Sequence, residues 1–259
     1  MLSRATASMD GEKKSQFIFG INPVLEKLKL SPREVIEVMI VGGKTRGVLY
    51  SIEQAAKNQG IRIRYLESRE LERLSGGSKH QGVVAHVAPY SYSLFDDLLQ
   101  ALPPAAQHDW ILCVDGLTDP RNFGALLRCA EGAGVRYVVI PKDRSVGITP
   151  IVIKSSAGAV YSMNICRVPN LRRAILALKE KGYWIVGLDV RGPESLYQRV
   201  YPEKLVVVLG SERAGIRPLI LQECDFRVSI PMRGKIASLN VAVAGGVFLY
   251  ELVRQKDQG

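Results

Sequence analysis

The chain has 259 residues, 47% of them hydrophobic and 23% charged, which is typical of a globular protein with a sizeable core. No run of about 18 apolar residues predicts a membrane span, and segment 1–15 lacks the apolar stretch of a secretory signal. We therefore expect a disordered leader over 1–15 and a cytoplasmic protein. The net charge of +10 comes from both main segments, with 14 basic and 9 acidic residues in 1–90 and 21 and 14 in 109–259. This excess favours a polyanionic partner such as nucleic acid.

Metal and disulfide chemistry is not indicated by the cysteines. Cys113, Cys129, Cys166 and Cys224 lie far apart and form no Cys-x-x-Cys pair, so we expect no disulfide framework and no metal site. The chain also lacks the phosphate-binding motif GxxxxGK[ST] and the zinc-protease motif HExxH, which excludes those two enzyme classes.

A small α/β domain is predicted over residues 16–91. Its patterns alternate along the chain: a helix opened by Asn22-Pro23, a strand at 33–41, a helix at 48–60, a strand at 61–67, a helix ending at Gly76, and a strand at 80–90. Asn22 is a suitable helix N-cap, and Pro23 suits the first turn. Residues 92–108 contain Pro103-Pro104 and no basic residue, so we expect a linker there.

A second α/β domain is predicted over residues 109–259. It alternates again: a strand at 110–116, a helix at 122–134, a strand at 137–141, a helix at 170–182, strands at 183–190, 205–210 and 227–231, and a helix that starts near Ser238. Apolar strands interleaved with helices predict a parallel sheet covered on both faces. The segment Gly132-Ala133-Gly134 follows a helix and precedes a strand, so its two glycines indicate a helix C-terminus rather than a dinucleotide-binding fingerprint.

Polar residues and glycines follow two of the apolar strands in this second segment. Gly210-Ser211-Glu212 ends one strand, and Pro231-Met232-Arg233-Gly234 ends another, shortly before the last helix. Open α/β sheets bind ligands at the carboxyl ends of their strands and at helix N-termini. The sequence therefore predicts a ligand site there.

Three separated stretches resemble the signature motifs of the SpoU (TrmH) family. They are Asp115 to Asn122 with Arg128 in the following helix, Gly210 to Gly215, and Ile230 to Ala244. Members of this family are S-adenosylmethionine-dependent RNA ribose 2′-O-methyltransferases, and the resemblance spans about 110–253 in the family's motif order. Segment 16–91 is similar to the ribosomal-protein-L30e-like α/β substrate-binding domain of many members. The resemblance implies a homodimer whose parallel-sheet SPOUT domain forms a trefoil knot, against the rule that chains are unknotted.

Among family members, the two-domain layout is most similar to those that methylate a guanosine ribose in 23S ribosomal RNA. The same chemistry on tRNA, or on an antibiotic-binding ribosomal RNA site, is the nearer alternative. A non-catalytic RNA-binding factor for ribosome assembly is the more distant one.

The resemblance implies five catalytic residues, each with a structural alternative. They are Asn122, Arg128, Glu212, Ser238 and Asn240. The two asparagines and Ser238 could instead cap helices, and Glu212 could be a capping carboxylate. Arg128 follows Asn122 by six residues, which we expect to place it near the same helix face, and its alternative is an exposed ion pair. A guanidinium is a poor base, so we assign Arg128 to phosphate clamping and stabilisation of a developing alkoxide, with proton removal left open.

The cofactor implied by the resemblance is S-adenosylmethionine, bound mostly by main-chain groups with apolar side chains about the adenine ring. The residues implied are Leu209, Gly210, Ile230, Pro231, Met232, Ser238 and Leu239. Core packing is the alternative for Ile230 and Leu239. The family's usual Asn-Val-Ser is Asn240-Val241-Ala242 here, which removes one hydroxyl. Segment 154–159 is similar to a further family element, for which we expect packing rather than chemistry.

Overall fold

The computed structural model describes residues 15–43, 45–103 and 109–258, so the predicted leader up to residue 14 and residues 104–108 of the predicted linker lie outside it. The first part contains β1 (Gln16–Phe19), α1 (Ile21–Leu30), β2 (Val35–Val41), α2 (Val48–Asn58), β3 (Arg62–Leu66), α3 (Ser68–Leu74), β4 (Val83–Val87) and α4 (Phe95–Ala101). Its four strands form one sheet in the order β1-β4-β2-β3, in which only β2 and β3 run parallel.

The alternation of side chains along β2 explains how this sheet is covered on both faces. Val38 and Ile40 are fully buried in the cluster that includes residues of α1 and α2, whereas Met39 packs with Leu71 of α3. Successive residues of a strand point to opposite faces, so an uninterrupted apolar run is needed where both faces are covered.

The start of α1 differs from the prediction. The helix begins at Ile21 with Gly20 as N-cap, so the assignment of Asn22 as the cap is wrong. Gly20 has a φ of 98°, a backbone conformation available to glycine, and its N–H bonds to the Val83 carbonyl 3.2 Å away. The chain therefore turns from β1 into α1 without a side-chain cap.

The second part is a seven-stranded sheet in which all paired strands are parallel, as predicted. Its elements are β5 (Asp109–Asp115), α5 (Pro120–Gly132), β6 (Tyr137–Pro141), α6 (Pro150–Ser155), β7 (Asn164–Val168), α7 (Leu171–Glu180), β8 (Trp184–Leu188), β9 (Glu194–Ser195), β10 (Lys204–Gly210), α8 (Pro218–Leu221), β11 (Phe226–Ser229) and α9 (Val241–Gln258). The strand order is β7-β6-β5-β10-β8-β11-β9. The central strands β5 and β10 are buried on both faces, which explains their continuous apolar sequences.

Helix packing around α5 depends on glycines. A Cβ at Gly124 would lie 2.5 Å from the Ser155 Cβ of α6, and a Cβ at Gly245 of α9 would lie 2.5 Å from Leu126 Cδ1. A Cβ at Gly124 would also lie 2.7 Å from the Val152 carbonyl oxygen, so α6 approaches α5 at a position that only glycine permits. At Gly245 a larger residue would require the ends of the Leu126 and Leu209 side chains to move. The predicted apolar face of α5 is confirmed, because Phe123, Leu126, Leu127 and Ala130 are all buried.

In the part of the chain that the structure describes, we find no helix with the length and apolar character needed to cross a membrane.

Candidate active site

The carboxyl ends of β5 and β10 lie side by side. Gly210 pairs with Asp115 in the parallel register, so the loops that follow the two strands leave the same edge of the sheet. After β10 the chain turns sharply, because Ser211 N donates to the Gly215 carbonyl at 3.1 Å and Gly215 N donates back at 2.9 Å. A Cβ at Gly210 would lie 2.0 Å from the Gly215 carbonyl carbon. Only glycine can therefore begin this turn.

An ion pair between a buried carboxylate and a half-exposed arginine ties this turn to β5. The Asp115 side chain is fully buried and accepts hydrogen bonds from Arg217 N at 2.8 Å and Arg217 Nε at 2.7 Å. Arg217 was not among the predicted site residues, and it stands 102 residues from its partner. The available signal was Asp115 itself, since a carboxylate that ends an apolar strand needs a cation or N–H partner.

Three of the five predicted catalytic residues form one hydrogen-bonded cluster, which we call the Asn-Glu-Asn cluster: Asn122, Glu212 and Asn240. Asn240 Nδ2 donates to Asn122 Oδ1 and to Glu212 Oε1, each at 3.0 Å. Asn122 Nδ2 donates to the same Glu212 oxygen. Residues from three separate motifs therefore meet at the carboxyl edge of the sheet.

Helix capping fixes the orientation of Asn240. Its Oδ1 accepts from Ala242 N at 2.9 Å and from Val243 N at 3.4 Å, so this residue caps α9. With the oxygen engaged there, the amide nitrogen must face Asn122 and Glu212. The Asn240 side chain thus caps α9 through its oxygen and contacts the other two residues of the cluster through its nitrogen.

The capping alternatives for the other site residues are wrong. Asp119 caps α5, and its Oδ1 accepts from Asn122 N at 2.7 Å, so Asn122 is in the first turn and its side chain is available for the cluster. Ser238 precedes the cap of α9 by two residues, because that helix begins at Val241. Glu212 lies in the turn after β10, and its hydrogen bonds are to side chains.

Arg128 and Ser238 are not joined to the Asn-Glu-Asn cluster. Both side chains are exposed, and within residues 15–43, 45–103 and 109–258 neither makes a hydrogen bond or ion pair. The alternative of an exposed ion pair for Arg128 is therefore not seen there. A six-residue spacing turns Arg128 by about 120° around α5 from Asn122, so the expectation of a shared face is wrong.

The segment after β11 has the chemistry expected of an adenosine-binding loop. No main-chain N–H or C=O of residues 231–239 makes a hydrogen bond with another described residue, so these groups are available to a ligand. Met232 and Leu239 are 36% and 38% exposed, which excludes core packing as the main role of Leu239. Free donors and acceptors flanked by exposed apolar side chains fit the adenine and ribose of S-adenosylmethionine.

Two further predicted cofactor residues have their side chains in the core. Leu209 is 2% exposed and lies against Gly245 of α9, so only its main chain could reach a ligand. Ile230 is half-buried and packs against the core, which supports the packing alternative for its side chain.

Comparison with known proteins agrees with this fold and with these motifs. Residues 109–250 match the SpoU rRNA Methylase family, and residues 17–93 match the family described as RNA 2'-O ribose methyltransferase substrate binding. The chain belongs to the SpoU family of methylases.

Individual relatives cover nearly the whole chain. The 23S rRNA (guanosine-2'-O-)-methyltransferase RlmB of Xylella fastidiosa is 40% identical, over 94% of this chain and 98% of its own length. The protein of the same name from Escherichia coli K12 is 38% identical, over 93% and 99%. The crystal structure of the SpoU methyltransferase AviRb from Streptomyces viridochromogenes with AdoMet has a TM-score of 0.78 at 22% identity, over 95% of this chain and 91% of AviRb, and thus shares the fold.

Proposed function

We propose that this protein transfers a methyl group from S-adenosylmethionine to the 2′-hydroxyl of a guanosine ribose in 23S ribosomal RNA. The observation that carries the proposal is the Asn-Glu-Asn cluster, in which Asn122, Glu212 and Asn240 meet beside the free main chain of residues 231–239. Membership of the SpoU family supports the reaction, and the RlmB relatives support the RNA and the nucleotide.

The cofactor-binding residues that we propose are Leu209 and Gly210 at the end of β10, and Ile230, Pro231, Met232, Ser238 and Leu239 after β11. When bound there, S-adenosylmethionine supplies a methyl group on a positively charged sulfur that leaves as a neutral thioether. The main chain of residues 231–239 holds the nucleoside, and the side chains of Met232 and Leu239 cover the apolar faces of the adenine ring. This division of roles makes binding depend on loop shape more than on particular side chains.

The cluster positions the acceptor side of the reaction. Glu212 Oε1 accepts from both asparagines, which leaves Oε2 without a partner among the described residues and able to accept a hydrogen bond from a ribose hydroxyl. Arg128, exposed and without a described partner, clamps an RNA phosphate and stabilises negative charge on the attacking oxygen. Ser238 contributes a hydroxyl to the same pocket. The group that finally takes the proton is not assigned.

We also propose a cytoplasmic homodimer with α9 at its interface. The side chains of Val243 and Tyr250 on α9 are 52% and 54% exposed, and Ile236 just before the helix is 73% exposed. Val243 and Tyr250 are seven residues apart, so they share one face of α9, and exposed apolar side chains on one face favour association. Sedimentation of the purified protein as a monomer would contradict this proposal. The trefoil knot and the boundary of the two domains at 92–108 stay predictions.

Transfer of tritium from labelled S-adenosylmethionine to a 23S ribosomal RNA transcript tests the function. We expect incorporation by the wild-type protein and by Arg173→Ala, which removes an exposed arginine of α7, and strongly reduced incorporation by Asn122→Ala and Arg128→Ala. Undiminished incorporation by both site variants would refute the site assignment.

Two further measurements separate the alternatives. A map of ribose methylation in RNA from a deletion strain should lack one methyl group in 23S ribosomal RNA, whereas a missing methyl group in tRNA would favour the tRNA alternative. Calorimetry with S-adenosylmethionine should show binding, and its absence would favour a ribosome-assembly factor without a donor site.

A further inference from the structure

A second group of polar side chains lies where α6 meets the N-terminal sheet, and we call it the Lys-Gln-Lys cluster: Lys79, Gln81 and Lys154. Lys154 Nζ donates to Gln81 Oε1, and the same oxygen accepts from Ile21 N at 3.3 Å. The ammonium lies directly against the backbone of Gly20, because a Cβ there would be 2.1 Å from Lys154 Nζ. One neutral amide oxygen therefore serves two donors, one of them charged.

The positive charge of this cluster is not balanced by an acid. Neither Lys79 nor Lys154 belongs to an ion pair within the described residues, although Lys27, Lys29 and Lys57 of the same region each contact a glutamate. Burial lowers the pKa of Lys154, and the neighbouring charge of Lys79 lowers it further. Lys154 is thus a partly buried cation whose only hydrogen-bond partner among the described residues is the neutral amide of Gln81, and Lys79 adds a second positive charge two residues before Gln81.

The turn that carries Gln81 is itself specialised. Gln81 has a φ of 57°, a left-handed conformation that is uncommon for residues other than glycine. This conformation belongs to the turn just before β4, in which Gly82 N donates to His80 Nδ1 at 3.1 Å. The amide oxygen of Gln81 accepts from Lys154 Nζ and Ile21 N, and an anionic oxygen would make stronger hydrogen bonds with both donors.

The cluster is connected to the active site through two packed residues. Lys154 is followed by Ser155, whose Cβ would be 2.5 Å from a Cβ at Gly124 of α5. Gly124 stands two residues after Asn122, a member of the Asn-Glu-Asn cluster. Lys154 therefore lies on the helix that packs against α5, and the first turn of α5 carries Asn122.

We infer that the Lys-Gln-Lys cluster binds a phosphodiester group of the RNA substrate. The inference rests on the proposed function, because it takes the polyanion to be the methylated RNA. Phosphate contacts from lysine fix the position of a nucleic acid without reading its sequence, and each one releases counterions. The cluster would hold the RNA backbone across both parts of the chain while the Asn-Glu-Asn cluster holds the ribose.

Binding of a 23S ribosomal RNA transcript, measured without S-adenosylmethionine between about 50 and about 200 mM salt, tests the inference. For Lys154→Gln and Lys79→Gln we expect affinity about five-fold weaker, as for loss of one ion pair in water, and a salt slope smaller by about one. The matched control is Lys181→Gln, which removes an exposed lysine at the end of α7. It should keep the wild-type slope, and Lys154→Arg should restore binding. An equal change of slope in the control, or none in the two variants, would overturn the inference.

A shape-conserving substitution separates an RNA contact from a purely structural link. Gln81→Glu places a carboxylate on the two donors, so it should raise the melting temperature and at the same time weaken RNA binding, because the carboxylate takes the place of the phosphate. If the melting temperature rises and RNA binding is unchanged, the cluster only joins the two parts of the chain, and the inference is wrong.

The outcome for the proposed function is read separately. These binding measurements need no methyl transfer. If the wild-type protein methylates the transcript and all cluster variants bind the transcript with wild-type affinity, only this inference is refuted. A wild-type protein that transfers no methyl group refutes the proposed function. In the supporting case, Lys154→Gln raises the KM for RNA and leaves kcat at saturating RNA near the wild-type value.

Discussion

Asn240 performs two tasks through two different atoms, so its substitutions should separate stability from activity. Asn240→Ala removes the cap of α9 and both contacts within the Asn-Glu-Asn cluster. Loss of such a cap costs about 1 kcal/mol, which is a fall of about 2–4 °C in melting temperature for a chain of this size. Asn240→Asp keeps the capping oxygen and loses only the donor.

We expect the Asn240→Asp variant to keep the cap of α9 and to lose most of its activity. Its carboxylate gains about 0.3–1 kcal/mol at the helix N-terminus, which offsets about 1 kcal/mol of repulsion from the exposed Glu212 in water. In the free protein these hydrogen bonds are exposed to water and contribute little to stability. When bound RNA and cofactor cover the cluster, loss of a hydrogen bond to a charged partner costs about 1.5–3 kcal/mol, because the carboxylate of Glu212 and the oxygen of Asn122 then face an acceptor. If those contacts position the reacting ribose, kcat/KM should fall about 10- to 150-fold.

Asn170 provides the matched control, because its Oδ1 caps α7 by accepting from Arg173 N at 3.1 Å, away from the Asn-Glu-Asn cluster. Asn170→Ala should lose similar stability and keep its activity. Thermal melts and tritium transfer measure the two effects. Wild-type kcat/KM in Asn240→Asp would refute the catalytic part of the reasoning, and an unchanged melting temperature in Asn240→Ala would refute the capping part.

Two other substitutions probe how the fold supports the site, and a third probes the acid stability of the first part of the chain. Gly210→Ala puts a methyl group into the backbone of the turn after β10, so calorimetry should show weaker S-adenosylmethionine binding together with a lower melting temperature. Arg217→Met leaves the buried carboxylate of Asp115 without its cation and should cost about 3 kcal/mol in urea unfolding, the low end for a buried pair because Arg217 is half exposed. Hydrogen bonding, chiefly from Lys57, lowers the pKa of Glu53 from 4.5 to about 2. The contribution of Glu53 to the stability of the fold is therefore present above about pH 4.5 and is lost as the pH falls towards 2. As the pH is lowered through that interval, the melting temperature of Glu53→Gln should fall less than the melting temperature of the wild-type protein.

Several elements could be predicted because their sequence pattern is local. The apolar face of α5 and the continuous apolar run of β10 both report burial directly, and each was confirmed. By contrast, α6 has six residues and is too short to show a helical period, and β7 includes exposed Asn164 and Arg167, which interrupt its apolar pattern. Lys154 lies in α6, so the Lys-Gln-Lys cluster was not foreseen, and Lys154 was expected only to pack.

The sequence by itself determined the alternation of strands and helices, the loops with small and acidic residues after β10 and β11, and the residue types of the site. Only the tertiary structure decided which side chains meet. Asn240 lies 118 residues from Asn122 and 28 from Glu212, yet bonds to both because β5 and β10 are neighbours in the sheet and α9 packs on α5. Hydropathy along a chain tells whether a residue faces the core, whereas its partner is set by strand order and by close helix contacts at glycines such as Gly245.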